Sequence, residues 1–286
     1  MNRLLTAGIL LIATSTVLTA GDPPTMFEVI AHARVAKKVP FEVVDSATGT
    51  KQIQLTTVSE EFNRKVSLDP AKTAVVVCDM WDDHWCKAAA ARCGELAKTA
   101  DPVLKACRDK GMTIIHCPSD CMGFYKDHPA RKRMLQVPKA EPPKAKELPN
   151  PPLPVDDSDG GCDDEKPAKQ YRAWSRQNAA ITVDEDKDYI TDSGLEVYSL
   201  MASKKIGTLL VMGVHTNMCV LNRTFAIKQM VKWGQEVYLV RDLTDAMYNP
   251  KMKPMVSHQK GTELIIEFIE QNWCPTIESK ALVGGK

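Results

Sequence analysis

Thr208–Ala226, TLLVMGVHTNMCVLNRTFA, is the stretch whose reading decides the fold. Four apolar residues, Leu209 to Met212, run into Gly213, then a polar turn, then Cys219 and a helical pattern that reaches about Trp233-Gly234. Run, glycine, turn and helix in that order read as a strand feeding a helix in a parallel α/β sheet. Such turns lie at the carboxyl ends of strands, where open α/β sheets take their ligands. A cysteine there sits beside unpaired helix N–H groups, whose dipole favours the nucleophilic thiolate. Cys219 is therefore the candidate nucleophile. The competing reading is a small buried hydrophobe, a common fate of free cysteine.

Working outward, the same rhythm recurs. Thr73–Cys78 (TAVVVC) reads as a buried strand that delivers Asp79, followed by Met80-Trp81-Asp82-Asp83-His84-Trp85-Cys86. Cys86–Gly111 reads as a helix, and Met112–His116 as a second strand carrying His116 to the same sheet edge. Ala179–Val183 is expected as a short strand, Ser193–Lys205 as a helix and Glu236–Val240 as a further strand. His258–Asn272 closes the pattern as a helix before an edge strand at Thr276-Ile277. Alternation of this kind predicts a doubly wound, mostly parallel sheet with helices on both faces. Asp242 and Asp245 read as caps after their strand, and His258 as a residue satisfying local carbonyls.

Two segments fall outside the rhythm. Residues 21–67 form an N-terminal extension with a hairpin signal, Phe41–Val44 and Gln52–Leu55 flanking a turn at 47–50. Residues 124–172 form an insertion with seven prolines between 138 and 154 and an acidic run at 156–165, expected to be a lid over the strand tips tethered through Cys162.

The 286 residues carry a formal net charge of +1, which leaves no footprint for nucleic acid or an anionic membrane. Residues 1–20 have the basic start, short apolar run and small-residue end of a signal peptide, so the expected location is periplasmic or secreted, with no membrane contact beyond that segment. Export places the nine cysteines where disulfides persist, and their odd number leaves at least one unpaired within the chain. Cys86, Cys121 and Cys162 are candidates for a bridge; Cys78 and Cys107 read as core.

The motifs VVVCDMWDDHW and VMGVHTNMCVLNRTFA, in that order on successive strand tips, resemble those of the isochorismatase-like cysteine hydrolases, which include nicotinamidases and N-carbamoylsarcosine amidohydrolases. The likeness covers roughly residues 73–277 less the insertion, and makes 68–286 an isochorismatase-like hydrolase domain. It implies a six-stranded sheet of order 3-2-1-4-5-6 and a homo-oligomer. It implies cleavage of a C–N bond in a small amide, imide or carbamoyl compound through a Cys219 thioester, with Asp79 as general base. It also implies a cis peptide at Val214-His215, and an oxyanion hole made by the amides of His215 and Cys219.

The family's catalytic lysine has no match, and Arg176 is the nearest cation in the expected region, acting electrostatically. Trp81, Trp85, His116, Tyr125, Trp174 and Asn217 are the expected pocket walls, facing a flat small-molecule substrate. No cofactor is required; His84, His116 and His215 could hold Zn²⁺ if all three reach one pocket, though hydrogen-bonding walls are the simpler reading. An isochorismatase-type ether hydrolase and a non-catalytic ligand-binding protein on the same fold are the alternatives.

Overall fold

The computed structural model describes residues 26–44, 46 and 48–284. The signal-peptide segment, 1–20, lies outside them. Among the described residues no helix is long and apolar enough to cross a membrane.

The fold is one eight-stranded sheet with helices on both faces. Its strands are β1 (Phe27–Val44), β2 (Lys51–Leu68), β3 (Thr73–Cys78), β4 (Thr113–Cys117), β5 (Tyr189–Ile190), β6 (Thr208–Val214), β7 (Glu236–Asp245) and β8 (Thr276–Ile277). Their order is β2-β1-β8-β7-β6-β3-β4-β5. The expectation of six strands in the order 3-2-1-4-5-6 is corrected to eight, because the N-terminal hairpin joins the sheet; β3 to β8 follow that succession beneath it. β1 pairs antiparallel with both β2 and β8, so β8 is covered rather than an edge. All other pairings are parallel.

Every residue of β3 is buried, as a central strand between two helical layers requires. Its alternate side chains feed the two cores. Val75 and Val77 pack with α1 (Lys87–Asp109) through Cys93, Ala97, Val103 and Leu104. Ala74, Val76 and Cys78 pack with α4 (Gly194–Lys204), α6 (Ile227–Lys232) and α7 (His258–Asn272). Gly213, at φ 117°, sits where β6 presses on β3, and a Cβ there would lie 2.0 Å from the Cys78 carbonyl oxygen. Only glycine allows that approach.

Three local expectations are corrected. Residues 179–183 form turns, not a strand, because Asp101 takes the Thr182 N–H and Arg108 donates to the Thr182 carbonyl. The strand comes later, at β5. The Cys219 helix breaks in two, into α5 (Cys219–Asn222) and α6. The chain is extended at Arg223 (ψ 151°), and Thr224 receives the N–H of Gly194 at the start of α4. The insertion, finally, opens with α2 (Met122–Tyr125) and α3 (Pro129–Leu135) before it becomes irregular.

The irregular part is pinned along its acidic run. Cys162 is disulfide-bonded to Cys86, with Cα atoms 5.6 Å apart. The acidic run is consumed by the body of the protein. Asp164 accepts from the N–H groups of Lys87 and Ala88, capping α1 where Cys86 offers no side-chain acceptor. Asp163 binds Arg92, Asp159 accepts from Asn249, and Asp157 accepts from Asn217.

Candidate active site

Three strand tips meet around Cys219. β3 ends at Asp79, whose backbone has φ 47° and whose amide donates to the Cys117 carbonyl at 3.1 Å. Aspartate is among the few residues that tolerate this left-handed conformation. The turn buries its carboxylate completely and points it at two donors. The Ser119 amide donates to Oδ1 at 2.7 Å, and Arg223 Nε donates to Oδ2 at 2.9 Å.

β6 ends at Val214, and the Val214–His215 peptide bond is cis. The turn behind it is held by polar bonds. The Thr216 amide donates to the Asp245 carbonyl, and the Thr216 and Thr244 hydroxyls lie 2.7 Å apart, with Thr244 donating to the Gly213 carbonyl. The His215 carbonyl accepts from the amides of Met218 and Val220. The amides of His215 and Cys219 donate to no acceptor among the described residues.

Cys219 opens the single turn of α5. It is partly exposed, and the other six free cysteines among the described residues are buried. One helical turn on, Arg223 comes back beneath it. Burial raises the Cys219 pKa and the Asp79 charge raises it further, while Arg223 draws it down. Asp79 is raised as well, by burial, with Arg223 opposing. Burial thus opposes the charged form of both groups, and one cation offsets it for both. A proton can pass from sulfur to carboxylate with Arg223 stabilising whichever anion results.

Beside this group lies an open depression of about 490 Å³, lined by Leu153 and Asp157 of the insertion and by Asn217, Met218, Cys219, Asn222 and Arg223.

No family model and no curated protein matches the chain. Solved structures do. A cysteine hydrolase from Pseudomonas syringae pv. phaseolicola is 16% identical, covering 76% of this chain and 92% of its own, with a TM-score of 0.46. An isochorismatase from Pseudomonas putida is 10% identical, with 74% and 90% covered and a TM-score of 0.44. An isochorismatase family protein from Burkholderia thailandensis is 13% identical, with 76% and 97% covered and a TM-score of 0.43. The resemblance is to cysteine hydrolases and isochorismatases.

The structure brings Asp79, Cys219 and the Val214-His215 turn together. It does not bring Arg176. That side chain is half exposed, 3.8 Å from Asp82 and over the Phe124 ring. The cation at Cys219 is Arg223, which sequence reasoning missed by looking on the preceding strand. Its signal was present in CVLNR, a lone cation four residues after the cysteine, hence on the same helical face.

The expected pocket walls are mostly packing. Trp81 donates to the Ser119 carbonyl and stacks on Trp174 at 4.0 Å. Tyr125 is buried with them, its hydroxyl accepting from the Gln177 amide, and partly buried Cys219 packs against this cluster. Trp85 packs on the disulfide. Asn217 alone lines the depression, and its amide is already spent on Asp157 and both backbone groups of Met247.

The three histidines do not converge as a metal site. His116 is fully buried, with Nδ1 on Gln177 and Nε2 on Asp188. His84 and His215 do meet, edge to face with ring centroids 5.0 Å apart. Burial pushes their pKa values down to about 4 and about 3, so both are neutral at pH 7. Among the described residues the one grouping of ligand-type atoms is Cys86, Cys162 and Asp164, and both its sulfurs are spent in the disulfide.

Proposed function

We propose that the chain is a cysteine hydrolase that opens a C–N bond of a small amide, imide or carbamoyl compound. The observation that carries this reading is the Cys219–Asp79–Arg223 group beside two undonated amides. In the first half-reaction Cys219 Sγ attacks the carbonyl carbon as its proton moves to Asp79. The oxyanion that forms takes the amides of His215 and Cys219. Asp79 then passes the proton to the leaving nitrogen as the C–N bond breaks, which leaves a thioester. In the second, water attacks that carbon and loses its proton to Asp79. The S–C bond breaks, and the proton returns to sulfur. Arg223 moves no proton; its delocalised charge holds Asp79 in place and stabilises the thiolate.

The disulfide supports the exported reading, since such bonds persist in oxidising compartments. The test is ammonia or amine release from a panel of small amides, with intact-mass detection of an acyl adduct. The expected result is turnover that Cys219→Ala abolishes and an adduct on the Cys219 peptide. A Cys219→Ala variant that hydrolyses every accepted substrate at the wild-type rate overturns the proposal.

A further inference from the structure

β2 is an 18-residue strand at the edge of the sheet, and among the described residues it pairs only with β1. It contains no proline and its register with β1 is unbroken from Lys51 to Leu68. Such an edge presents a row of free backbone donors and acceptors, which proteins ordinarily blunt or cover.

The hairpin also has a face that continues beyond its support. Val29, Ala31, Ala33 and Leu68 are buried against the body. Strand alternation carries that same face outward through Val35, Phe41, Val58 and Phe62, all exposed, Phe62 at 45%.

The sequence of the edge matches itself. Antiparallel pairing of two identical strands about a two-fold axis keeps directly opposed residues on one face. With the axis at Phe62, two Phe62 rings meet, Glu60 opposes Arg64, and Val58 opposes Val66. An aromatic pair, two opposite-charge pairs and two β-branched pairs then lie on the one apolar face. The exposed Glu60–Lys37 contact is cheap to exchange, since both side chains are more than half solvated. Arg64 donates to Tyr238 at 3.4 Å through one nitrogen, which leaves other donors of its fork free.

We infer that the chain forms a two-fold dimer by antiparallel β2–β2 pairing centred on Phe62, joining two sheets into one. The occupant of the edge is a second copy because the charges on β2 complement their own sequence, and the pairing leaves only the two-residue β5 strands as edges.

The experiment is sedimentation equilibrium of the full chain with three charge variants. Wild type is expected to be dimeric. Glu60→Arg and Arg64→Glu each weaken the dimer on the order of 30-fold, because symmetry makes every reversal act twice. The double variant Glu60→Arg/Arg64→Glu regains the wild-type constant. Under mild oxidation Phe62→Cys gives a disulfide-linked dimer, while Phe41→Cys, on the same face nearer the tip, does not. Unchanged circular dichroism excludes misfolding as the cause. A monomeric wild type, an open polymer, or a dimer indifferent to both reversals and uncrosslinked by Phe62→Cys overturns the inference.

Discussion

Two aspartates stand at the tips of the strands on either side of β6, each against an arginine, and they are built for opposite ends. Asp79, after β3, meets Arg223 through one oxygen and faces a thiol. Asp245, at the end of β7, is gripped from both sides: Arg92 Nε donates to Oδ2 at 2.9 Å, and His258 Nε2 lies 2.8 Å from Oδ1. Asp79 is buried and Asp245 partly buried, and burial raises a carboxyl pKa. At Asp79 the single cation loses to burial and the pKa is raised. At Asp245 two cations outweigh it and the pKa is lowered. One carboxyl is left able to take a proton; the other is locked as an anion. The locked one has a structural duty, since Arg92 also holds Asp163 of the insertion at 2.7 Å, next to the disulfide. The contrast teaches that an Asp–Arg pair is a brace or a proton carrier according to how many cations share the carboxylate.

The comparison breaks if the two sites respond alike to mutation. The largest expected effect is on Asp79. Replacing the proton carrier with Asp79→Asn should cut amide turnover by about 10²–10⁴-fold. The folded state, however, should be no less stable. The sign follows from linkage: a native pKa raised above the unfolded carboxyl value means the native state binds more protons across that interval, so stability falls as pH rises through it. Above that interval the charged Asp79 carboxylate therefore costs stability. A thermal melt of Asp79→Asn at pH 7 that drops as far as that of Asp245→Asn would erase the distinction.

Next is Asp245→Asn, with turnover per folded molecule near wild type and stability lower by about 2–3 kcal/mol. That lies under the range for a fully buried pair broken on one side, because Arg92 retains some solvent contact. For a chain of this size the loss reads as a fall in melting temperature of roughly 5–10 °C.

Arg223 sharpens the comparison by charge against geometry. Arg223→Lys keeps a cation but loses the fork that spans Asp79 and the thiol, and should retain most of the turnover that Arg223→Gln loses. We expect alkylation of Cys219 by iodoacetamide at pH 7 to fall in the order wild type, Lys, Gln, by about tenfold overall. Equal rates in all three would remove Arg223 from the chemistry.

The smallest effect is on pH. His258 has its pKa raised by Asp245 against the desolvation that lowers it. Its contribution is fully present below the unfolded histidine value of about 6.5 and is lost as pH rises through the higher folded value. The Asp245 half of the brace acts in the other direction, present above the unfolded carboxyl value and lost as pH falls through the lowered one. Melting temperature should therefore decline gently on the alkaline side in wild type, and His258→Gln should flatten that decline. A parallel decline in both proteins would show that the brace does not titrate through His258.

Much of this was legible in sequence because it depends on local pattern. Thr73–Cys78 could be read as a strand from its unbroken apolar run, and Asp79 and Cys219 fell on tips because each directly follows such a run or its turn. Other features depended on groups far apart in the chain. Arg176 looked like the site's cation by position, but Asp82 claimed it. The aromatic residues looked like pocket walls by composition, but they stack on one another. His116 looked like a ligand at a strand end, but Gln177 and Asp188 take both its nitrogens. The acidic run looked like part of a lid tethered through Cys162 alone, yet its carboxylates also cap α1 and bind Arg92 and two asparagines.

The sequence by itself determined the alternation of strands and helices, the central place of β3 and β6, and the residues at their tips. Those follow from periodicity and from where glycine permits close approach, both properties of a few neighbouring residues. Tertiary structure decided between Arg176 and Arg223 as the cation at Cys219, which carboxylate stays free to carry a proton, and that the N-terminal hairpin extends the sheet to eight strands. Those outcomes depend on burial and on how many charges converge on one group, and side chains 50 or 150 residues apart compete for the same partner only once the chain has folded.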